Sequence, residues 1–157
     1  MNELILLKKK VRDAVEKLVL NDLFIIRTGQ ERALTHRLGT YLSASFVSWH
    51  VDVDYNRQGS GSEFKSDNND DRKVPDVIIH RRGLPEIENN LLFSEVKIAN
   101  GDVKGDITKI EEFTSPPPSG SRRTFQYKYG LSLSFLPQVQ LVWFENGVEL
   151  CRETHSY

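Results

Sequence analysis

Two short apolar runs carry charged side chains where a core strand ordinarily has none. Asp76 opens the run PDVIIH (75–80), and Glu95 and Lys97 interrupt the run LLFSEVKI (91–98). Alternate residues of a strand share a face, so Glu95 and Lys97 point one way while Ser94, Val96 and Ile98 point the other. Charges set into such runs must be matched, because an unpaired buried charge is strongly destabilising. Two carboxylates and a backbone carbonyl suit a hard cation such as Mg2+ or Mn2+, which keeps several waters in its octahedral shell. A cation held this way polarises a phosphoryl oxygen and acidifies bound water, and a nearby lysine orients that water or neutralises growing charge. The chemistry such a set would serve is phosphodiester hydrolysis. Asp76 and Glu95 would be ligands, the Val96 carbonyl a third, and Lys97 the catalytic cation.

Positioning that set requires elements whose signatures run along the chain. Leu4, Leu7, Val11, Val15 and Leu18 recur at steps of three and four, which predicts a helix over residues 3–20 closed by Asn21-Asp22. Thr28 and Glu31 have the spacing of a capping box and open a second helix, with Leu34, Leu38, Tyr41 and Leu42 buried, ending near 44–46. From Trp49 the period becomes two: Trp49, Val51, Val53 and Tyr55 alternate with His50, Asp52, Asp54 and Asn56, a half-buried strand. The stretch QGSGSEFKSDNNDDRK reads as a long mobile loop able to bury little. The two charged runs are expected as adjacent central strands. Asp102 is placed to cap a helix through about Phe113, with Val103, Ile107 and Ile110 on one face and Lys104, Lys109 and Glu111 more exposed. SPPPSGSRR forbids regular structure, and YGLSLSF and QVQLVWFE are further strands. Asn146-Gly147 predicts a type I′ hairpin into VELCRE.

Composition bounds the rest. The 157 residues, 38% hydrophobic and 27% charged, suit one domain with a single sizeable core. With 21 basic and 22 acidic side chains the formal charge is −1, so any binding to a polyanion must rely on a local patch. The single cysteine, Cys151, excludes an intrachain disulfide and a cysteine-rich zinc site. The basic cluster after the first apolar stretch is the wrong order for a signal peptide, and no run reaches 18 uncharged apolar residues. A cytoplasmic protein without a membrane partner is the expectation.

Pro75-Asp76 followed 19 positions later by Glu95-Val96-Lys97 resembles the motif of PD-(D/E)XK nucleases. ERALTHRL, VDVDYNR, PDVIIHRRG and NLLFSEVK together resemble an uncharacterised bacterial branch of that superfamily. The resemblance covers roughly residues 28–145 and implies a restriction-endonuclease-like α/β (α+β) core, a central mixed sheet flanked by helices. The helix over 3–20 is additional, and a C-terminal hairpin spans 138–153. It implies a Mg2+- or Mn2+-dependent phosphodiesterase, endo- or exonuclease, acting on DNA before RNA, with a homodimer as the arrangement that cuts both strands of a duplex. A retained fold without catalysis, serving as a protein- or nucleic-acid-binding scaffold, is the alternative.

The resemblance also brings Glu31 to the metal, although a capping box explains the same residue without one. Asp54, Arg57 and His80 are candidates for supporting the site or contacting phosphate. The competing readings are the solvent face of a strand for Asp54, as for Asp52, and a polar strand end for His80. Lys104, Lys109, Arg122 and Arg123 are candidate nucleic-acid contacts, against the ordinary solvated role of charges near loops. Trp49, Trp143 and the aromatics of FQYKY fit core or edge packing, with base stacking by Tyr127 or Tyr129 as the other option.

Overall fold

The computed structural model describes residues 2–58, 63–69, 71–99, 101 and 103–156. The elements follow the order helix, helix, three strands, helix, three strands: α1 (Glu3–Arg27), α2 (Glu31–Ser45), β1 (His50–Val53), β2 (Val77–His80), β3 (Asn90–Ala99), α3 (Lys104–Thr114), β4 (Tyr129–Leu136), β5 (Val139–Glu145) and β6 (Val148–His155). A short 3-10 turn (Ile87–Asn89) precedes β3. The six strands form one mixed sheet in chain order. Only β3 and β4 run parallel, and a parallel pair needs a crossover, which α3 supplies. The class is α+β, a central mixed sheet flanked by helices with an additional N-terminal helix, as expected. No helix among the described residues is long and apolar enough to cross a membrane.

The sheet divides two apolar cores. Leu7, Val11, Val15 and Leu18 of α1 and Leu34, Leu38 and Leu42 of α2 pack with Leu92, Val96, Leu131, Leu133 and Trp143. On the other face, Ile110 and Phe113 of α3 pack with Ile78, Phe93, Phe125, Tyr127 and Phe144. Strand alternation thus sends Val96 to the first core and Phe93, with Glu95 and Lys97 in phase with it, toward α3. The close seating of α3 depends on Gly130, where a Cβ would collide with Cγ2 of Ile110 and lie 3.0 Å from Cγ2 of Thr114.

Several local expectations are corrected. The break at Asn21-Asp22 is real but not terminal: Asp22 has non-helical φ/ψ (−122°, 25°), and the helix resumes to Arg27. Asp22 accepts from Arg37 Nε at 3.0 Å and from the Tyr41 hydroxyl at 2.7 Å, so the kink is tied to α2. Thr28 does not cap α2. Its hydroxyl donates to the Phe24 carbonyl at 2.8 Å, closing α1, and Gln30 is an N-cap without a side-chain bond. β1 stops at Val53 because Asp54 takes φ +55°. The alternation breaks there, and Tyr55 joins the second core instead of following Val53 into the first. Asp102 lies outside the described residues. Asn146 (φ 51°) and Gly147 (φ 77°) make the β5–β6 turn with both central residues left-handed, as a type I′ turn requires.

The polar segment before β2 buries more than its composition suggests. Lys65 is 2% exposed, and Asn56, Gln58, Ser66 and Asp67 are also buried. Local bonding accounts for this: Asp67 Oδ1 accepts from the backbone N–H of Asn69 and Asp71 at 2.9 Å, and Asn56 Oδ1 accepts from Lys65 N at 3.1 Å. Polar side chains that satisfy backbone groups replace water, so the segment packs without apolar residues.

Candidate active site

β2 begins at Val77, opposite Ser94, while β3 continues to Ala99, and this mismatch exposes a stretch of β3 edge. Asp76 fills the gap: its Oδ2 accepts from Val96 N at 2.7 Å, and its carbonyl accepts from Asp54 N at 3.2 Å. One step further along the same edge, Glu31 Oε2 accepts from Ile98 N at 3.3 Å. N–H and C=O of one strand residue point to the same side, so the Val96 carbonyl faces the edge that Asp76 occupies. Ser94 anchors the register by donating to the Val77 carbonyl at 2.7 Å.

Glu95 and Lys97 leave the sheet toward α3, whose residues meet them. Lys97 Nζ stands 3.4 Å from Glu31 Oε1 and 3.5 Å from Asp106 Oδ2. Lys109 Nζ stands 2.8 Å from Glu95 Oε1. Asp106 and Lys109 are three apart on α3 and therefore share a helix face. The site is thus a cluster of six ionisable side chains from α2, the approach to β2, β3 and α3.

The electrostatics follow from burial. Glu95 is 3% exposed. Burial, with the negative charge of Asp76 added, pushes its carboxyl up to about 8 despite the opposing charge of Lys109. Burial likewise raises Asp76, against the Val96 hydrogen bond and the charges of Lys109 and Lys97. Burial would lower Lys97, but Asp106 and Glu31 outweigh it and hold the ammonium above its ordinary value. Paired carboxylates that resist joint ionisation mark a place for additional positive charge.

The donor set fits a hard divalent cation. Glu95 Oε1 is buried, with the Lys109 ammonium 2.8 Å away. Among the described residues no group of three or more His, Cys, Asp or Glu side chains is placed to hold a metal ion. Two carboxylates and the Val96 carbonyl would leave the remaining positions to water, the arrangement magnesium favours.

The other sequence candidates separate from this cluster. His80 is 4% exposed, its Nε2 bonds Asp52 Oδ2 at 2.8 Å, and its ring packs edge-on to Tyr55 at 4.9 Å. Asp52 is accordingly not a solvent-face residue. Burial would raise its carboxyl, but hydrogen bonds from His80 and Arg82 hold it well below the usual range. Asp54 reaches the site through its backbone, while its carboxylate stands 3.4 Å from Arg32 at the surface. The Arg57 guanidinium lies over Phe64 at 4.2 Å. Arg123 is corrected outright: 1% exposed, it donates to the carbonyls of Ser115, Pro116 and Phe125 and to Asn68 Oδ1, pinning the Pro-rich segment. Tyr127 is fully buried beside Phe93 and Phe125, which removes base stacking. Lys104 is exposed at the start of α3, and the Arg122 carbonyl accepts from Gln58. Lys109, expected outward, turns into the site.

Sequence reasoning missed Asp106 and Lys65. Asp106 carried a signal, being one helical turn before Lys109, although the phase of α3 against β3 could not be read. Lys65 lies over Tyr55 at 4.7 Å and Phe125 at 5.4 Å. Burial pushes its ammonium down to about 7, with only Asp52 opposing.

No family model matches the chain, and no curated protein matches it. A solved structure described as a cryo-EM structure of a DrdV–DNA complex is similar with a TM-score of 0.50 and 12% identity. The match covers 93% of this chain and 12% of that one, so this chain spans a small part of its neighbour's length. At that identity the similarity concerns fold alone.

Proposed function

We propose that the chain is a divalent-metal-dependent nuclease acting on DNA, with Asp76, Glu95 and the Val96 carbonyl as cation ligands and Lys97 as the catalytic cation. The observation that carries this reading is buried Glu95 and half-buried Asp76 beside Lys97, at the point where β3 continues past the first residue of β2. Bound Mg2+ or Mn2+ would supply Lewis acidity and a more acidic water. The chain's own residues do the positioning. Val96 N–H orients Asp76, and Glu31 with Asp106 keeps Lys97 protonated and directed into the site. A protonated Lys97 can orient the attacking water or stabilise charge on the phosphoryl oxygens. Glu31 is thereby assigned to Lys97 and the β3 edge. That the structurally similar protein was solved with DNA favours DNA as substrate, and a homodimer would present two sites to a duplex.

The test is incubation of the purified chain with single- and double-stranded DNA and RNA in Mg2+ or Mn2+. Cleavage of DNA, abolished by EDTA and by Asp76→Asn, is the expected result. One feature favours the catalytically inactive scaffold instead: Lys97 and Lys109 already pair with Glu31, Asp106 and Glu95. Absence of cleavage together with absence of metal binding at millimolar concentration would favour that second reading.

A further inference from the structure

We infer that Lys109 is a displaceable internal counter-ion, which holds Glu95 while the site lacks metal and exchanges with the divalent cation on loading; the inference rests on the nuclease reading. Three features of the contact support exchange over a permanent salt bridge. The ammonium meets Glu95 through Oε1 at 2.8 Å, a single contact to one carboxyl oxygen. The second contact of Lys109 Nζ, with the Val74 carbonyl, is 3.5 Å long, at the outer limit of a hydrogen bond. The Lys109 side chain is 20% exposed against 4% for Glu95, so the cation has a way out and the carboxylate has none.

The ligands also fit the role. A buried carboxylate and a backbone carbonyl are the partners a hard cation would take, and the ammonium touches one of each. Lys97 is held differently, between Glu31 and Asp106, and would keep its place when Lys109 leaves. The two lysines thus divide the work: Lys97 is a fixed positive charge, and Lys109 occupies the Glu95 carboxyl group until a stronger cation arrives. Without such a group, the metal-free fold would hold Glu95 and Asp76 together with less compensation.

Titration calorimetry with Mn2+ on the full chain tests this, comparing wild type with Lys109→Met, Lys109→Gln and Lys109→Arg. Both neutral variants should bind Mn2+ at least tenfold more tightly than wild type, and Lys109→Arg should stay close to it. Metal-free melting should fall for the neutral variants and recover more with Mn2+ than wild type does. Circular dichroism selects whichever neutral variant is folded. Wild-type Mn2+ binding that the neutral variants leave unchanged or weaken would overturn exchange while leaving the nuclease reading intact. No Mn2+ binding by any form would overturn both.

Discussion

Glu95→Gln should stabilise the metal-free protein at alkaline pH, and the gain should be set by how strongly the site resists ionisation. Glu95 is 3% exposed, and its carboxyl is pushed up to about 8 from an ordinary 4.5, by burial first and by Asp76 second. The folded state therefore holds a proton that the unfolded chain releases. Stability associated with this group is fully present below about 4.5 and is lost as pH rises through about 8. Each pH unit inside that window removes about 1.4 kcal/mol, tapering near the upper end. Glutamine mimics the protonated acid and does not titrate, so the stability gap between variant and wild type should widen by about 2 kcal/mol between pH 6 and pH 8. Lys65, pushed down to about 7, also titrates in this range but is common to both chains. The assay is urea unfolding at the two pH values with EDTA present. Parallel stability curves over that interval would refute the assignment of Glu95 as a buried, proton-binding carboxyl.

Arg123→Met should destabilise the fold by about 3 kcal/mol, because it removes the buried donor to the carbonyls of Ser115, Pro116 and Phe125, the last of these contacts fully buried; a change within about 0.5 kcal/mol in chemical denaturation would return Arg123 to the solvated surface role. Gly130→Val should cost about 2 kcal/mol or more by pushing α3 off the sheet. Because α3 delivers Asp106 and Lys109, the same variant should weaken Mg2+-dependent cleavage even where it remains folded, read as turnover per folded molecule.

Much of the site was legible because strand geometry is simple. A period of two fixes which face Glu95 and Lys97 share, and the run PDVIIH opens with Asp76 where the partner strand needs an edge acceptor. The contribution of α3 was not legible. Ile107 and Ile110 set its apolar face correctly, yet the long Lys109 stem reaches back across that boundary to Glu95. Glu31 was ambiguous in sequence because one spacing serves two structures, and the fold separates them: Thr28 bonds backward to Phe24, which leaves Glu31 to Lys97 and Ile98. The segment before β2 misled for a different reason. Its Asn, Asp and Ser side chains bond backbone amides and close turns of their own, so composition overstated its exposure. The alternating pattern puts Tyr55 on one face with Trp49, Val51 and Val53, because the left-handed residue at Asp54 leaves no trace in such a pattern.

The most direct test of the central claim is Lys97→Ala, assayed for both Mn2+ binding and DNA cleavage. Asp76 and Glu95 remain in that variant, so calorimetry should still detect the metal, while cleavage should fall by at least ~100-fold with loss of the cation at the reacting phosphate. Cleavage at the wild-type rate by folded, metal-bound Lys97→Ala would contradict the account.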